Sequence, residues 1–239
     1  MSGQVKRWLG LTSGEETFAH PRLTARYASG LIAAAVVLAF LIPDGPLRLD
    51  ERWARLMEDV EGSLLTHVAL VFNAVGHGIL RALTTGIVGL VLLIKNRRAA
   101  LLAFILAEAL TPLLVNLIKL LAGRERPPGA MIEAHGSSYP SGHAAYAGAT
   151  AVILVLLFTK PNRHRRGWWV AAAAVIAGMA WSRTYLHVHW LSDAVAGAVL
   201  GIGVALLSLA VVQILSTRWR EEDDQSSRRI AASASSSSS

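Results

Sequence analysis

Long apolar runs, separated by short polar clusters, dominate this chain. Six runs approach the ~20 residues that a helix needs to cross a hydrocarbon core of roughly 30 Å. They cover about residues 27–43, 78–94, 99–121, 143–159, 168–185 and 191–215. Because a helix satisfies its backbone hydrogen bonds internally, the pattern predicts an all-α fold, a polytopic bundle of six transmembrane helices.

Composition supports a membrane protein and excludes several other classes. Hydrophobic residues make up 53% of the chain and charged residues only 16%, which is unlike a soluble domain. The net charge of +7 lies in short clusters between apolar runs, so a lipid bilayer rather than nucleic acid is the expected partner. There is no cysteine, which excludes disulfides and thiolate chemistry, and the oligomeric state stays open.

The cationic clusters predict the orientation. Residues 95–98 and 160–166 join successive spans, and four arginines follow the last span, so these cations and both termini share one side. The positive-inside rule makes that side cytoplasmic and predicts a multi-pass cell-membrane protein. The segment before the first apolar run, residues 1–26, has no apolar core, which argues against a cleaved signal peptide. The expected units are a cytoplasmic N-terminal segment, a membrane domain and a disordered cytoplasmic tail, at residues 1–26, 27–215 and 216–239.

The longest outer connection runs from Asp44 to His77. Apolar residues recur at helical spacing among charges between Leu47 and Val60, which predicts an amphipathic helix in the membrane interface. Residues 63–76 are apolar with scattered polar positions. They form either the outer part of the second span or a short re-entrant piece.

Three polar stretches interrupt the apolar chain on the opposite, outer side. They are Lys119 with Arg126-Pro127, then Tyr139-Pro140-Ser141-Gly142-His143, then Ser182-Arg183 with His189 and Asp193. Ionisable groups near a bilayer are costly, and their convergence on one face indicates a functional site.

In the third stretch, His189 and Asp193 are four residues apart and would share one face of a helix. A carboxylate one turn away can accept the Nδ1–H of the ring and leave Nε2 free as a nucleophile. Taken alone, the same residues also fit an interfacial Arg183 and a simple cap at a helix start.

The other two stretches suit an anion. Ser141 and Gly142 open a helix whose first N–H groups can bind a phosphate, and His143 could donate a proton there. Three cations, Lys119, Arg126 and Arg183, could neutralise the three equatorial oxygens of a phosphoryl group in transfer. Taken alone, each stretch also fits snorkelling cations or an ordinary N-cap.

Together, the three stretches resemble the signature of the type 2 phosphatidic acid phosphatase superfamily. The resemblance implies that His189 forms a phosphohistidine, that Asp193 orients it, and that His143 acts as acid and then as base for water. It further implies an extracytoplasmic site in which the phosphoryl oxygens are held by Lys119, Arg126, Ser141, Gly142 and Arg183. It implies no metal and no cofactor.

By this resemblance, the expected function is hydrolysis of a lipid phosphate or diphosphate. The candidate substrates are phosphatidate, phosphatidylglycerophosphate and a polyprenyl diphosphate such as undecaprenyl diphosphate. A lipid phosphotransferase using the same histidine and a non-catalytic lipid or anion transporter are the alternatives. Vanadate-dependent haloperoxidases have a similar signature but are soluble, which the six predicted spans disfavour.

Several polar residues lie outside the signature. Glu108 lies in the middle of the third span, and is either a functional carboxylate or a neutral packing residue near Pro112. His187 is interpreted as a rim residue, and Asn73 and His77 as residues lining the outer pocket. Small residues on the last span, Gly197 and Gly201 among them, favour close packing within the bundle over a dimer interface.

Overall fold

Helices account for all regular secondary structure in the described residues, which are 17–42, 44–159 and 164–236 of a computed structural model. The all-α prediction is therefore confirmed for that part of the chain. Lys6, Arg7, Pro43, most of the predicted loop at 160–166 and the last three serines lie outside the described residues. Within the described ranges there are eight helices: α1 (Pro21–Leu41), α2 (Arg48–Asp59), α3 (Ser63–Val75), α4 (Gly78–Ile94), α5 (Arg98–Ala122), α6 (Gly142–Phe158), α7 (Arg165–Tyr185) and α8 (Leu191–Ser236).

Three described helices are long and apolar enough to cross a membrane, namely α1, α5 and the Leu191–Trp219 part of α8. Helices α3 and α4 qualify together as a fourth, although a bend of 53° separates them. Helix α6 is apolar but shorter, at 17 residues. The membrane character agrees with the sequence, whereas the count of six spans stays a prediction.

The start of α8 lies at the centre of the bundle and packs closely against α6. A Cβ atom on Gly197 would lie 2.3 Å from the Ser141 carbonyl oxygen, and one on Gly201 would lie 1.9 Å from that of Ala145. These glycines let the two backbones approach. The small residues thus serve packing within the bundle, as the sequence predicts.

The outer connection forms two helices. Helix α2 occurs where the sequence predicts an amphipathic helix, but its Asp50 is buried, with 1% of its surface exposed, rather than facing water. Helix α3 is separate from α4, and His77 and Gly78, with its φ of +56°, lie at the bend. The segment 63–76 is therefore not a straight continuation of the second span.

Helix α8 continues well beyond Leu215, where the sequence predicts the last span to end. The segment predicted to be a disordered tail is helical as far as Ser236. No glycine or proline follows Gly203, and residues 216–236 include four arginines, three alanines and two glutamates, which favour helices.

Candidate active site

Four helix ends meet at one end of the bundle around a cavity of about 630 Å³. They are the C-terminal ends of α5 and α7 and the N-terminal ends of α6 and α8. Six of the eight predicted site residues line this cavity: Lys119, Arg126, Gly142, His143, Arg183 and His189. The other two, Ser141 and Asp193, are fully buried and do not contribute to its lining. The fold thus brings together residues from three separate stretches.

His189 does not lie on a helix, because α8 begins at Leu191. The predicted shared helical face with Asp193 is therefore wrong, although the two side chains are neighbours. Asp193 lies in the first turn of α8, where its Oδ2 accepts the Trp190 N–H at 2.9 Å. The same oxygen lies 3.7 Å from His189 Nδ1, beyond hydrogen-bond distance. The cap of α8, rather than helical periodicity, places the carboxylate beside the ring.

The electrostatic surroundings of His189 favour its neutral form. Burial lowers the pKa of this imidazole to about 4, and the nearby Asp193 carboxylate only partly opposes that effect. The ring is 5% exposed and lines the cavity. Since Nδ1 is on the Asp193 side, an uncharged ring can present its other nitrogen to a ligand.

A buried arginine that the sequence analysis missed lies behind Asp193. Arg124 is 2% exposed and bridges two buried carboxylates. Its Nη1 lies 2.5 Å from Asp193 Oδ1, and its Nη2 lies 2.8 Å from Asp50 Oδ2. The only signal in the sequence is that Arg124 falls within the first polar stretch, because Asp50 is 74 residues away.

Asp50 extends this network to the start of α8. Its two carboxylate oxygens accept the backbone N–H and the hydroxyl of Ser192, both at 2.8 Å. Arg124 also donates to the Ser192 hydroxyl at 2.7 Å. The carboxylate of Asp193 is therefore held from the side opposite His189, and α2 is attached to the start of α8.

The three predicted phosphate-binding cations have neutral partners. Lys119 donates to the Ser137 carbonyl, and Arg183 donates to the Asn73 side chain. Arg126 donates to carbonyl oxygens of the neighbouring loops at 2.6 to 3.3 Å, namely those of His135, Gly136, Ser137 and Val188. Burial lowers the pKa of Arg126, and nearby Asp193 opposes that effect. These contacts orient the cations without neutralising them.

His143 and Ser141 have polar atoms without partners among the described residues. The Nε2 of His143 and the hydroxyl of Ser141 are both buried and make no hydrogen bond there. The backbone N–H of Ser141 donates to the Asp193 carbonyl at 3.0 Å, so this group is not free for a ligand. The His143 ring stacks on that of His77, with centroids 5.8 Å apart.

The residues outside the signature have different positions. Asn73 and His77 line the cavity, as the sequence predicts. His187 does not line it and is not a rim residue, because its ring is buried and Nε2 lies 2.9 Å from Glu61 Oε1. Glu108 lies outside the lining and accepts the hydroxyls of Thr85 and Thr150 at 3.1 and 3.3 Å.

A fourth cation, Arg81 on α4, lines the same cavity. Its guanidinium carbon lies 4.4 Å from the centre of the Tyr146 ring, and its Nη2 lies 3.9 Å from Glu108 Oε2. Tyr146 is one helical turn beyond His143 on α6. The cavity thus extends from the signature residues to a second cationic position along the bundle.

Comparison with known proteins agrees with the resemblance in the sequence. The family model described as the PAP2 superfamily matches residues 100–216. The crystal structure of a transmembrane PAP2-type phosphatidylglycerolphosphate phosphatase from Bacillus subtilis has a TM-score of 0.63 and 21% identity, covering 82% of this chain and 96% of that one. LpxE from Aquifex aeolicus has a TM-score of 0.56 and 24% identity, covering 68% of this chain and 96% of that one. At these identities, the two structures show a shared fold.

Two curated relatives are similar in sequence. An undecaprenyl-diphosphatase from Sulfolobus acidocaldarius is 31% identical over 139 residues, which is 55% of this chain. A lipid A 1-phosphatase from Porphyromonas gingivalis is 35% identical over 111 residues, which is 46% of this chain. The matches span 63% and 23% of the lengths of these two relatives.

Proposed function

Since residues 100–216 match the family model of the PAP2 superfamily, we propose that this chain is a membrane lipid phosphatase that acts through a phosphohistidine. One observation supports this best. A buried histidine beside a fixed carboxylate, a second histidine with a free ring nitrogen, and three cations on neutral partners surround one cavity. This arrangement supports the proposed roles of His189 as nucleophile, His143 as proton donor and the three cations as ligands of the phosphoryl oxygens.

In the first step, Lys119, Arg126 and Arg183 bind the phosphoryl oxygens, with the N–H of Gly142 and the free hydroxyl of Ser141 as further donors. The Nε2 lone pair of His189 attacks phosphorus, and the bond from phosphorus to the leaving oxygen breaks. His143 gives its proton to that oxygen. Asp193 stabilises the positive charge that develops on the His189 ring, while Arg124 holds the carboxylate in place.

In the second step, water replaces the departed lipid group. His143, now neutral, accepts a proton from the water as its oxygen attacks phosphorus. The bond between phosphorus and His189 Nε2 breaks, inorganic phosphate leaves, and both histidines return to their starting states. No group beyond the protein, the lipid phosphate and water enters this cycle, so we propose that it is independent of metal and cofactor.

The proposed substrate is a phosphomonoester or diphosphate of a membrane lipid. The relatives are named as an undecaprenyl-diphosphatase, a lipid A 1-phosphatase and a phosphatidylglycerolphosphate phosphatase. In the proposed topology, six helices cross the cell membrane, and the cavity opens on the extracytoplasmic side with both termini in the cytoplasm. The cationic residues 95–98 follow the end of α4 that is remote from the cavity-lining Arg81, which supports this orientation by the positive-inside rule.

Replacement of His189 tests the function. Purified His189→Ala protein in detergent, offered phosphatidate, phosphatidylglycerophosphate and undecaprenyl diphosphate, should lose phosphate release by a factor on the order of 10⁴ or more. The control is His67→Ala, since His67 is exposed on α3 and its Nδ1 hydrogen-bonds to the Ser63 carbonyl of the same helix. Near wild-type turnover by folded His189→Ala protein would refute the proposal.

Two changes to this assay test metal dependence and phosphotransfer: addition of a chelator, and omission of any acceptor alcohol for the phosphoryl group. With excess EDTA, the wild-type protein should retain full activity, and a requirement for added divalent metal would contradict the metal-independent cycle. Free phosphate should appear without an acceptor alcohol. Phosphate release only when an acceptor is supplied would instead favour the phosphotransferase.

A further inference from the structure

Arg81 occupies an unusual position for an arginine. It lies in the first turn of α4, a helix whose other side chains are apolar or threonine. A third of its side chain is exposed, and its contact with Glu108 at 3.9 Å is longer than a hydrogen bond. The two Glu108 oxygens already accept threonine hydroxyls. The guanidinium is thus held close to Tyr146 while its N–H groups remain able to bind an anion in the cavity.

The cavity borders a second, apolar groove at this point. The groove has a volume of about 460 Å³ and lies between α6 and α7, and Tyr146 lines both it and the cavity. Thr84, less than one helical turn after Arg81, also lines the groove. Its other walls include Leu154, Phe158, Trp168 and Val175. Arg81 therefore lies where the polar cavity gives way to a hydrocarbon-lined space.

We propose that Arg81 binds a second, non-reacting phosphate of the lipid substrate, with the hydrocarbon chain continuing into the groove between α6 and α7. This inference rests on the proposed phosphatase function. It makes the preferred substrate class lipids with two phosphates in series, a reacting terminal group and an inner group nearer the chain. Lipid diphosphates have this chemistry, as does phosphatidylglycerophosphate, whereas phosphatidate lacks the inner phosphate.

The charges around the cavity suit such a substrate. The outer cations Lys119, Arg126 and Arg183 surround the reacting phosphate next to His189. Arg81 is on another helix, beside Tyr146, and is available to an inner phosphate. An arginine can present two parallel N–H donors to phosphate oxygens, which a single ammonium cannot. The Glu108 carboxyl, 3.9 Å from Arg81 Nη2, and the Tyr146 ring provide polar and aromatic neighbours for this cation in an apolar helix.

Matched substrate pairs test the role of Arg81. The first pair is a prenyl diphosphate and its monophosphate with the same chain, and the second is phosphatidylglycerophosphate and phosphatidate with the same acyl chains. Arg81→Gln should lower kcat/KM for the two-phosphate member of a pair by about 10- to 100-fold and for the one-phosphate member by less than about threefold. The pair that shows the larger loss of kcat/KM in Arg81→Gln indicates whether the inner phosphate belongs to a diphosphate or is linked through glycerol.

Two further variants control for the loss of any arginine and for the loss of charge alone. Arg55→Gln removes an exposed arginine of α2 outside both cavities and should change neither member of a pair. Arg81→Lys keeps a charge without the two-donor geometry and should give an intermediate loss. As a measurement independent of any variant, the wild type should bind a non-hydrolysable prenyl methylenediphosphonate at least tenfold more tightly than the matching phosphonate.

The outcomes separate this inference from the proposed function. The proposed function holds if wild-type protein releases phosphate and His189→Ala does not. If, in that case, Arg81→Gln lowers kcat/KM equally for both lipids of each pair, or for neither, then Arg81 does not bind an inner phosphate. Equal binding of the two phosphonates would have the same meaning. If wild-type protein releases no phosphate from any of the four lipids, the proposed function itself fails.

Discussion

Arg124 and Arg126 are two residues apart in one polar stretch, yet the fold uses them in different ways. Arg124 is buried between the carboxylates of Asp50 and Asp193. Arg126 is half-buried in the cavity wall, and its donors contact carbonyl oxygens. The type of residue and its place in the sequence do not separate them. The partners do, because a carboxylate neutralises a guanidinium whereas a carbonyl only orients it.

This difference distinguishes a fixed part of the site from a ligand-binding part. In the network of Asp50, Arg124 and Asp193, both Nη atoms of the arginine are hydrogen-bonded to carboxylates, and the network lies behind His189. Lys119, Arg126 and Arg183 donate to neutral oxygens instead, and they form the proposed phosphate-binding set. Substitutions in the network should therefore act mainly on stability, and substitutions in the cavity mainly on turnover.

The largest expected effect is that of Arg124→Met. Loss of the guanidinium leaves two buried carboxylates uncompensated, which should lower the free energy of unfolding by about 3–5 kcal/mol. Thermal unfolding in detergent measures the loss. Arg126→Met is the matched control and should cost less than about 1.5 kcal/mol, because its partners are carbonyls at a half-buried site. Equal destabilisation by the two variants would contradict the distinction.

Substitution of a cation in the cavity should affect turnover more than stability. Arg126→Gln removes a charge from the developing phosphoryl oxygens and should lower kcat/KM by a factor on the order of 100. Its melting temperature should stay within a few degrees of the wild-type value. Steady-state kinetics with the best lipid substrate measures the effect. A variant with a lowered melting temperature and an unchanged kcat/KM would instead show that Arg126 serves stability rather than phosphate binding.

His189 contacts both regions and should leave a pH signature. Burial lowers its pKa to about 4 from the unfolded value of about 6.5, so an acidified unfolded chain binds a proton that the native state does not. Stability should therefore be independent of this group above about pH 6.5 and fall between about pH 6.5 and 4, by at most ~1.4 kcal/mol per pH unit. His189→Gln should have a shallower decline, and parallel curves for the two proteins would contradict the neutral ring.

The smallest expected effect is that of Ser141→Ala. The hydroxyl has no partner among the described residues, so its removal should change the free energy of unfolding by less than about 0.5 kcal/mol. If the hydroxyl donates to a phosphoryl oxygen, kcat/KM should still fall by about tenfold. Stability and kinetics measured on the same preparation check both points. Unchanged kinetics would remove Ser141 from the phosphate-binding set.

The sequence by itself determined the all-α fold class and indicated most residues of the candidate site. Apolar runs indicated helices because a bilayer requires helical spans, and the runs predicted at 78–94, 99–121, 143–159 and 168–185 agree within three residues with α4 to α7. Helix α1 begins at Pro21, about six residues before the predicted start of the first run. The family signature indicated residues that the structure brings to one cavity. The length of an apolar run and the spacing of residues within a motif are local features. Both can be read from a single sequence.

Only the tertiary structure decided the rest. The contact of Asp50 with Arg124 joins residues 74 positions apart, and nothing in either local pattern predicts it. His189 lies in the loop before α8 rather than on a helical face shared with Asp193, and the hydrogen bond from the Trp190 N–H to Asp193 places the carboxylate beside the ring. The place of Arg81 beside Tyr146 likewise depends on how α4 packs near α6. Periodicity and spacing describe one segment at a time, whereas the partner of a charge depends on which segments the fold places side by side.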